Sequence, residues 1–287
     1  MSDKLKNFII RAISGVVMFA VLLGATLASK WSFGALVMLI AIGGVWEFYR
    51  LAQKAGYAPH FGIGLAATVM TIACSVLLMI TMQGESSQLI YTTLVCLPIV
   101  TILLLPAIFI CELYTKSETP IANIGSTIMG YMYVALPLAL LPFIPSMLSP
   151  EKWQPWIVIF YIFIIWANDV FAYLFGITLG KHRLFERISP KKSWEGFFGG
   201  LLGAMAMGYA AALMLNGEVI VWIGLALVAA LSGVFGDLVE SLFKRSVGVK
   251  DSGNIIPGHG GWLDRFDALI FSLPPVFIYL VLITLIH

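Results

Sequence analysis

Charge is what this sequence has least of. Asp, Glu, Lys and Arg make up only 11% of its 287 residues, where soluble globular domains carry about 25%. So small a charged complement excludes an ordinary solvated surface, and no nucleic acid is expected among the partners. Cysteine is scarce too. Cys74, Cys96 and Cys111 are odd in number, lie within or at the edge of apolar stretches and lack metal-ligand spacing. A disulfide framework and a zinc site are thereby excluded, and the three read as packing residues. Internal repeats, low-complexity tracts and long linkers are also missing.

What is present is apolar sequence, 60% of the chain. A transmembrane helix needs about 20 mostly apolar residues to cross a hydrocarbon core about 30 Å thick. Nine such stretches run near 12–28, 31–50, 61–82, 89–111, 121–147, 156–179, 197–215, 219–242 and 266–286. The fold class is therefore all-α, a polytopic helical membrane protein read as a single membrane domain over 1–287. Within it, residues 1–153 hold helices whose residues disclose no role, and 154–287 hold the helices and loops with chemistry. The first stretch follows basic residues and ends near Thr26 and Ala28, as a signal peptide would, but its apolar run is long enough to read as an uncleaved helix.

The basic residues orient the chain. If nine helices alternate, 15 of the 17 Lys and Arg fall on one side, and only Lys30 and Lys152 on the other. Positively charged loops stay in the cytoplasm, so the amino terminus is expected inside and the carboxyl terminus on the opposite side. The two longest loops on the basic side, 180–196 and 243–265, also carry Gly, His, Ser and Asp. Loops placed by a rigid scaffold are where chemistry usually sits.

Near the end of the eighth stretch, Asp237, Glu240, Ser241 and Lys244 are spaced to share one helical face. Glu240 and Lys244 have the order of an intrahelical ion pair. Asp237, one turn deeper, is left without a local partner, and a carboxylate inside an apolar span normally faces a partner, ion or cavity. The loop that follows contains Lys250, Asp251 and Gly253, then Gly258, His259, Gly260 and Gly261. Such glycines let the backbone turn several amides toward one spot, an anion-binding nest. Asp264 and Asp267 open the ninth helix at i, i+3. With Asp237 approaching from another helix, a divalent ion such as Mg²⁺ accounts for these carboxylates. Glu47, close to Arg50, reads as structural.

The other loop runs through Ser189, Pro190, Lys191 and Lys192 to Gly196. Ser189 and Pro190 read as an N-cap and first helical position. Two lysines in a first turn oppose the helix dipole unless an anion docks there. Just before this loop, Asn168, Asp169 and Tyr173 are polar groups near the cytoplasmic end of the sixth helix. Gly196, Gly199, Gly200 and Gly203 read as close helix packing.

Together these residues resemble a known signature. The run Ser241-x-Phe243-Lys244-Arg245-x₄-Lys250-Asp251-x-Gly253-x₂-Ile256-Pro257-x-His259-Gly260-Gly261-x₂-Asp264-Arg265-Phe266-Asp267 is similar to that of phosphatidate cytidylyltransferases, also called CDP-diacylglycerol synthases. The likeness extends back through Gly236-Asp237 and Ser189–Gly196, over roughly residues 160–270. Trp262 departs from it, standing where the family has a smaller aliphatic residue, and Ser193 stands where Thr is frequent. The resemblance implies transfer from CTP to phosphatidic acid at a cytoplasm-facing site in the inner membrane, giving CDP-diacylglycerol and pyrophosphate. It implies Asp237 and Asp264 as principal Mg²⁺ ligands, with Asp251, Asp267, Glu240 and Asp169 as further candidates and room for a second cation. Asp237, Asp264, Lys244, Arg265 and His259 would form the reacting centre. Ser189, Lys191, Lys192, Lys244, Arg245, Lys250, Gly258, Gly260 and Gly261 would hold substrate phosphates. A homodimer is compatible with the resemblance. Two other readings share these features: a different CTP-using lipid enzyme, and an ion-coupled transporter. The second is disfavoured because transporters commonly show repeats and midplane sites, whereas these acids gather toward one face.

Overall fold

The computed structural model describes residues 3–82, 87–149, 152–253 and 260–286, with side chains at 10–81, 95–149, 152–253 and 260–286. Helices dominate, as expected of a chain whose backbone polar groups must be satisfied internally within lipid. They are α1 (Asp3–Ala28), α2 (Lys30–Lys54), α3 (Phe61–Met82), α4 (Ser87–Tyr114), α5 (Pro120–Gly130), α6 (Leu136–Leu138), α7 (Ile144–Leu148), α8 (Pro155–Leu179), α9 (Trp194–Leu215), α10 (Val219–Ser246) and α11 (Leu263–Ile286). Among the described residues nine helical segments are long and apolar enough to cross a membrane. The expected polytopic helical architecture is borne out, and the segments coincide with the nine hydrophobic runs.

The fifth crossing, Pro120–Leu148, is irregular. After α5 comes a π-helical turn, Tyr131–Ala135, then α6, a 3₁₀ turn at Leu141–Phe143, and α7. Pro137, Pro142 and Pro145 account for this: proline lacks an amide hydrogen and its ring clashes with the carbonyl four residues back. Ser75 Oγ donates to the Ala139 carbonyl in this stretch.

The described residues cluster into two compact units, Met1–Pro142 with Ser246–Phe266, and Phe143–Arg245 with Asp267–His287. In the first, Tyr49 is fully buried and donates to the Thr127 carbonyl at 2.9 Å. It fits because Gly64 leaves space for it: a Cβ there would lie 1.9 Å from the Tyr49 hydroxyl. A polar cluster ties the segment before α3 to α4 and α5. His60 Nε2 meets Glu112 Oε2 at 2.6 Å, Asn123 Nδ2 donates to Glu112 Oε1 at 3.0 Å, and the Ala58 amide donates to Asn123 Oδ1 at 2.7 Å.

In the second unit, α9 lies close against α8 through the glycines read as packing residues. A Cβ at Gly199 would meet Phe175 at 2.3 Å, one at Gly203 would meet Phe171 at 2.5 Å, and one at Gly200 would lie 2.9 Å from the Asn168 carbonyl. Overpacking of this kind costs about 1–3 kcal/mol. Gly200→Leu is therefore expected to lower the thermal midpoint of the purified protein by several degrees, measured by intrinsic fluorescence. An unchanged midpoint would show that the two helices part without cost.

The expected helix start at Ser189-Pro190 does not form. Arg183–Phe185 (β1) and Ser189–Ser193 (β2) make an antiparallel hairpin in the second unit, pairing Arg183 with Ser193 and Phe185 with Ser189. The cap of α9 is Ser193, whose side chain accepts from the Gly196 amide at 3.1 Å, with Glu195 in the first turn. Proline suits the hairpin as well as a helix start, since it fixes φ in a range both accept. His182 Nδ1 meets Glu195 Oε1 at 2.7 Å and fastens the hairpin to the helix.

Candidate active site

The site in the second unit is built where α10 approaches α11. Gly233 and Gly236 face α11 at close range: a Cβ at Gly236 would lie 2.8 Å from the Asp267 carbonyl. That approach brings Asp237, Glu240 and Asp267 together, each offering a carboxylate oxygen within 4.8 Å of the others. Glu240 and Asp267 are buried, at 1% and 8% exposure, while Asp237 is half-buried. Carboxylates this close repel, more strongly in a weakly polar setting than in water.

Two ammonium groups oppose that repulsion. Lys244 pairs with Glu240, as the i, i+4 spacing foretold. Asp237 has a partner that its own helix did not suggest: Lys192 Nζ of β2 stands 2.5 Å from Asp237 Oδ2. Among the described residues, these three carboxylates and two ammonium groups sum to one formal negative charge. The donor set is all oxygen, partly buried and negative, which fits a hard divalent cation such as Mg²⁺. That ion commonly takes one or two carboxylates and completes its shell with water and substrate phosphates.

Beside this group, α8, the hairpin and α10 enclose a cleft of about 490 Å³. Asn168, Asp169, Tyr173, Arg183, Lys191, Lys192 and Asp237 line it, so acids of α8 and α10 share the cleft with basic side chains of the hairpin. Asn168 is 3% exposed, and its Oδ1 has no hydrogen-bond partner among the described residues. Buried amide oxygens are nearly always paired, so this atom marks a place where a donor is wanted.

The glycine loop belongs to the first unit. Asp264 Oδ2 accepts from the Ser252 amide at 3.0 Å and the Gly261 amide at 2.8 Å. Gly260 has φ of 85°, a conformation that favours glycine. Trp262 fits because Gly43 faces its ring, where a Cβ would lie 2.8 Å away, and its indole N–H donates to the Ile40 carbonyl at 3.2 Å.

Asp237, Glu240 and Asp267 are thus gathered in one place, with Lys192 and Lys244 beside them and Asp169 and Lys191 along the cleft. Ser189 opens β2. Asp264, Asp251, Lys250, Arg265, Gly260 and Gly261 belong to the first unit. Arg245, Lys250, Asp251 and Arg265 are exposed. Gly258 and His259 lie outside the described residues. The sequence reading set Glu47 aside as a neighbour of Arg50. Instead Glu47 is 2% exposed and bonded to the glycine loop, while Arg50 lies over the Trp46 ring at 5.5 Å. The sequence signal for it was a carboxylate within an apolar span.

Comparison with known proteins bears on the family of the chain. Proteins named phosphatidate cytidylyltransferase match 126 residues of the chain: that of Staphylococcus aureus (strain COL) at 48% identity, and one from Staphylococcus epidermidis (strain ATCC 12228 / FDA PCI 1200) at 47%. In both, the match covers 43% of this chain and 48% of the relative, so the chain spans about half the length of the curated relatives it matches. The model of the Cytidylyltransferase family matches far more, residues 9–283. With nearly all of its length matched, the chain belongs to the cytidylyltransferase family.

Proposed function

We propose that this protein is a metal-dependent phosphatidate cytidylyltransferase, making CDP-diacylglycerol and pyrophosphate from CTP and phosphatidic acid at the cytoplasmic face of the inner membrane. The observation that carries the reading is the junction of two opposite features: a three-carboxylate group and a cleft lined by Arg183, Lys191 and Lys192. Both reactants are polyanions. An oxygen of the lipid phosphate bonds to the α-phosphorus of CTP, the bond from that phosphorus to the β-bridging oxygen breaks, and pyrophosphate leaves. A phosphate monoester is largely ionised near neutral pH, its second pKa being about 6. The protein's task is then to position and neutralise rather than to remove a proton.

Asp237, Glu240 and Asp267 would hold the Mg²⁺, which would supply positive charge to offset the negative charge of the reacting phosphates. Lys191, Lys192 and Arg183 bind phosphate oxygens along the cleft. Tyr173 and Ile177, exposed on α8 at its rim, face the lipid side and guide the acyl-bearing reactant in. The test is purified protein with labelled CTP, phosphatidic acid and Mg²⁺, scored for a lipid-soluble cytidine product. Absence of product, or product only with an alcohol acceptor in place of phosphatidic acid, overturns the reading.

The reading requires the hairpin to face the cytoplasm, as the charge asymmetry implies. Arg187 and Lys152 are both exposed and lie on opposite sides in that topology. A cysteine replacing Arg187 is expected to react with a membrane-impermeant maleimide only in inverted vesicles, and one replacing Lys152 only in intact cells. The reverse pattern overturns the orientation.

A further inference from the structure

The first unit contains a buried acid that the proposed reaction does not use. Glu47 sits on α2, about two hundred residues before the glycine loop, yet among the described residues its hydrogen bonds go to that loop. Its Oε2 accepts from Ser252 Oγ at 2.8 Å and from the Leu263 amide at 2.8 Å. The Leu263 amide lies in the first turn of α11, where helical geometry leaves backbone donors without intrahelical partners. A carboxylate there also suits the helix dipole.

The glycines flanking this acid are shaped around it. A Cβ at Gly253 would lie 2.4 Å from Glu47 Oε1, and one at Gly261 would lie 2.5 Å from Glu47 Oε2 and 1.9 Å from Ser252 Oγ. The carboxylate therefore fills a hollow that only glycine leaves open. Ser252 links it to a second acid: its hydroxyl goes to Glu47 and its amide to Asp264, which also takes the Gly261 amide. The Trp262 indole holds the Ile40 carbonyl, two turns before Glu47 on α2. Both ends of the signature loop are thus tied to a single transmembrane helix, and Asp264 is oriented by the same ties.

We propose that Glu47 is a positioning residue: it clamps the Ser252 and Leu263 ends of the glycine loop to α2 and so fixes Asp264 for the metal-dependent reaction. The catalytic half of this inference rests on the proposed function above. It gives the N-terminal helices a task, since α2 supplies the rail on which the loop is set. The clamp needs an acceptor at one oxygen, not a charge. Oε2 takes both bonds, and Oε1 has no hydrogen-bond partner among the described residues, so an amide nitrogen can take its place.

The test compares Glu47→Gln, Glu47→Asp, Glu47→Ala and Ser252→Ala in the full-length protein. One readout is hydrogen exchange at the Ser252, Gly261 and Leu263 amides; the others are kcat, KM for CTP and the half-saturating Mg²⁺ concentration. Glu47→Ala and Glu47→Asp are expected to speed exchange at these amides and to lower kcat about 10–100-fold, the loss typical when a group that orients a site residue is removed. Glu47→Gln is expected to restore slow exchange and most of the turnover. Ser252→Ala removes one bond without burying an unpaired charge, and is expected to give a smaller change in the same direction.

If Glu47→Gln is as inactive as Glu47→Ala, the charge itself is required and the clamp is overturned. Unchanged exchange in Glu47→Asp and Ser252→Ala overturns it as well, even if Glu47→Ala fails to fold. Faster exchange with wild-type kcat and Mg²⁺ dependence overturns the catalytic half. A wild-type protein that yields no cytidine lipid overturns the functional reading, and exchange alone then decides the clamp.

Discussion

Asp237→Asn and Asp267→Asn should each remove nearly all turnover, by at least about a hundredfold, while the protein keeps its fold and expression level. Asn preserves the shape of the side chain and removes the charge that a cation needs. Because groups that act as a unit are strongly non-additive, the double variant should be scarcely slower than either single one. Raised Mg²⁺ should partly restore a single variant and not the double. The comparison also decides between two partners for Asp237. The structure gathers Asp237 with Glu240 and Asp267, whereas the sequence resemblance pairs it with Asp264. If Asp237 combines non-additively with Asp267 and additively with Asp264, the three-carboxylate group holds the ion. The opposite pattern returns the role to Asp264. If all losses simply multiply, no shared ion exists.

Most of the architecture was legible in the sequence because a bilayer imposes one constraint on every span. Apolar runs of about 20 residues can satisfy their backbone only as helices. Even the break in the fifth crossing has a visible cause in Pro137, Pro142 and Pro145. Local spacing also foretold the Glu240–Lys244 pair and the glycine contacts of α9. What escaped was set by distance along the chain. Glu47 looks settled beside Arg50, and its true partners, Ser252 and Leu263, come more than two hundred residues later. Asp237 looked unpartnered because Lys192 reaches it from the hairpin. The hairpin was missed because Ser189-Pro190 carries a helix-start signal, and Ser193 with Glu195 carries the same signal four residues on. No rule internal to the segment says which of the two wins; the bond from His182 to Glu195 favours the second.

The two hairpin lysines should prove unequal, and the inequality reads out the electrostatics of the site. Neighbouring residues on a strand point to opposite faces, and here Lys191 is exposed while Lys192 is half-buried against Asp237. Lys191→Gln removes a phosphate contact from the cleft and nothing else. Its KM for CTP should rise by an amount within the roughly 1.5–3 kcal/mol of a charge-assisted bond, with the Mg²⁺ requirement unchanged. Lys192→Gln removes a phosphate contact and also one of the two ammonium groups that offset three carboxylates. Its KM for CTP should rise as well, yet the half-saturating Mg²⁺ concentration should fall, because the ion then enters a more negative group with no lysine to displace. Turnover should drop further than in Lys191→Gln, since the ammonium that the ion displaces is the one beside the carboxylate group. The pairing is partly exposed, so salt should shrink the difference. Titrating Mg²⁺ at saturating CTP in both variants checks this directly. If Lys192→Gln needs more Mg²⁺ than the wild type, Lys192 and the ion do not compete for Asp237, and the carboxylate group does not hold the metal.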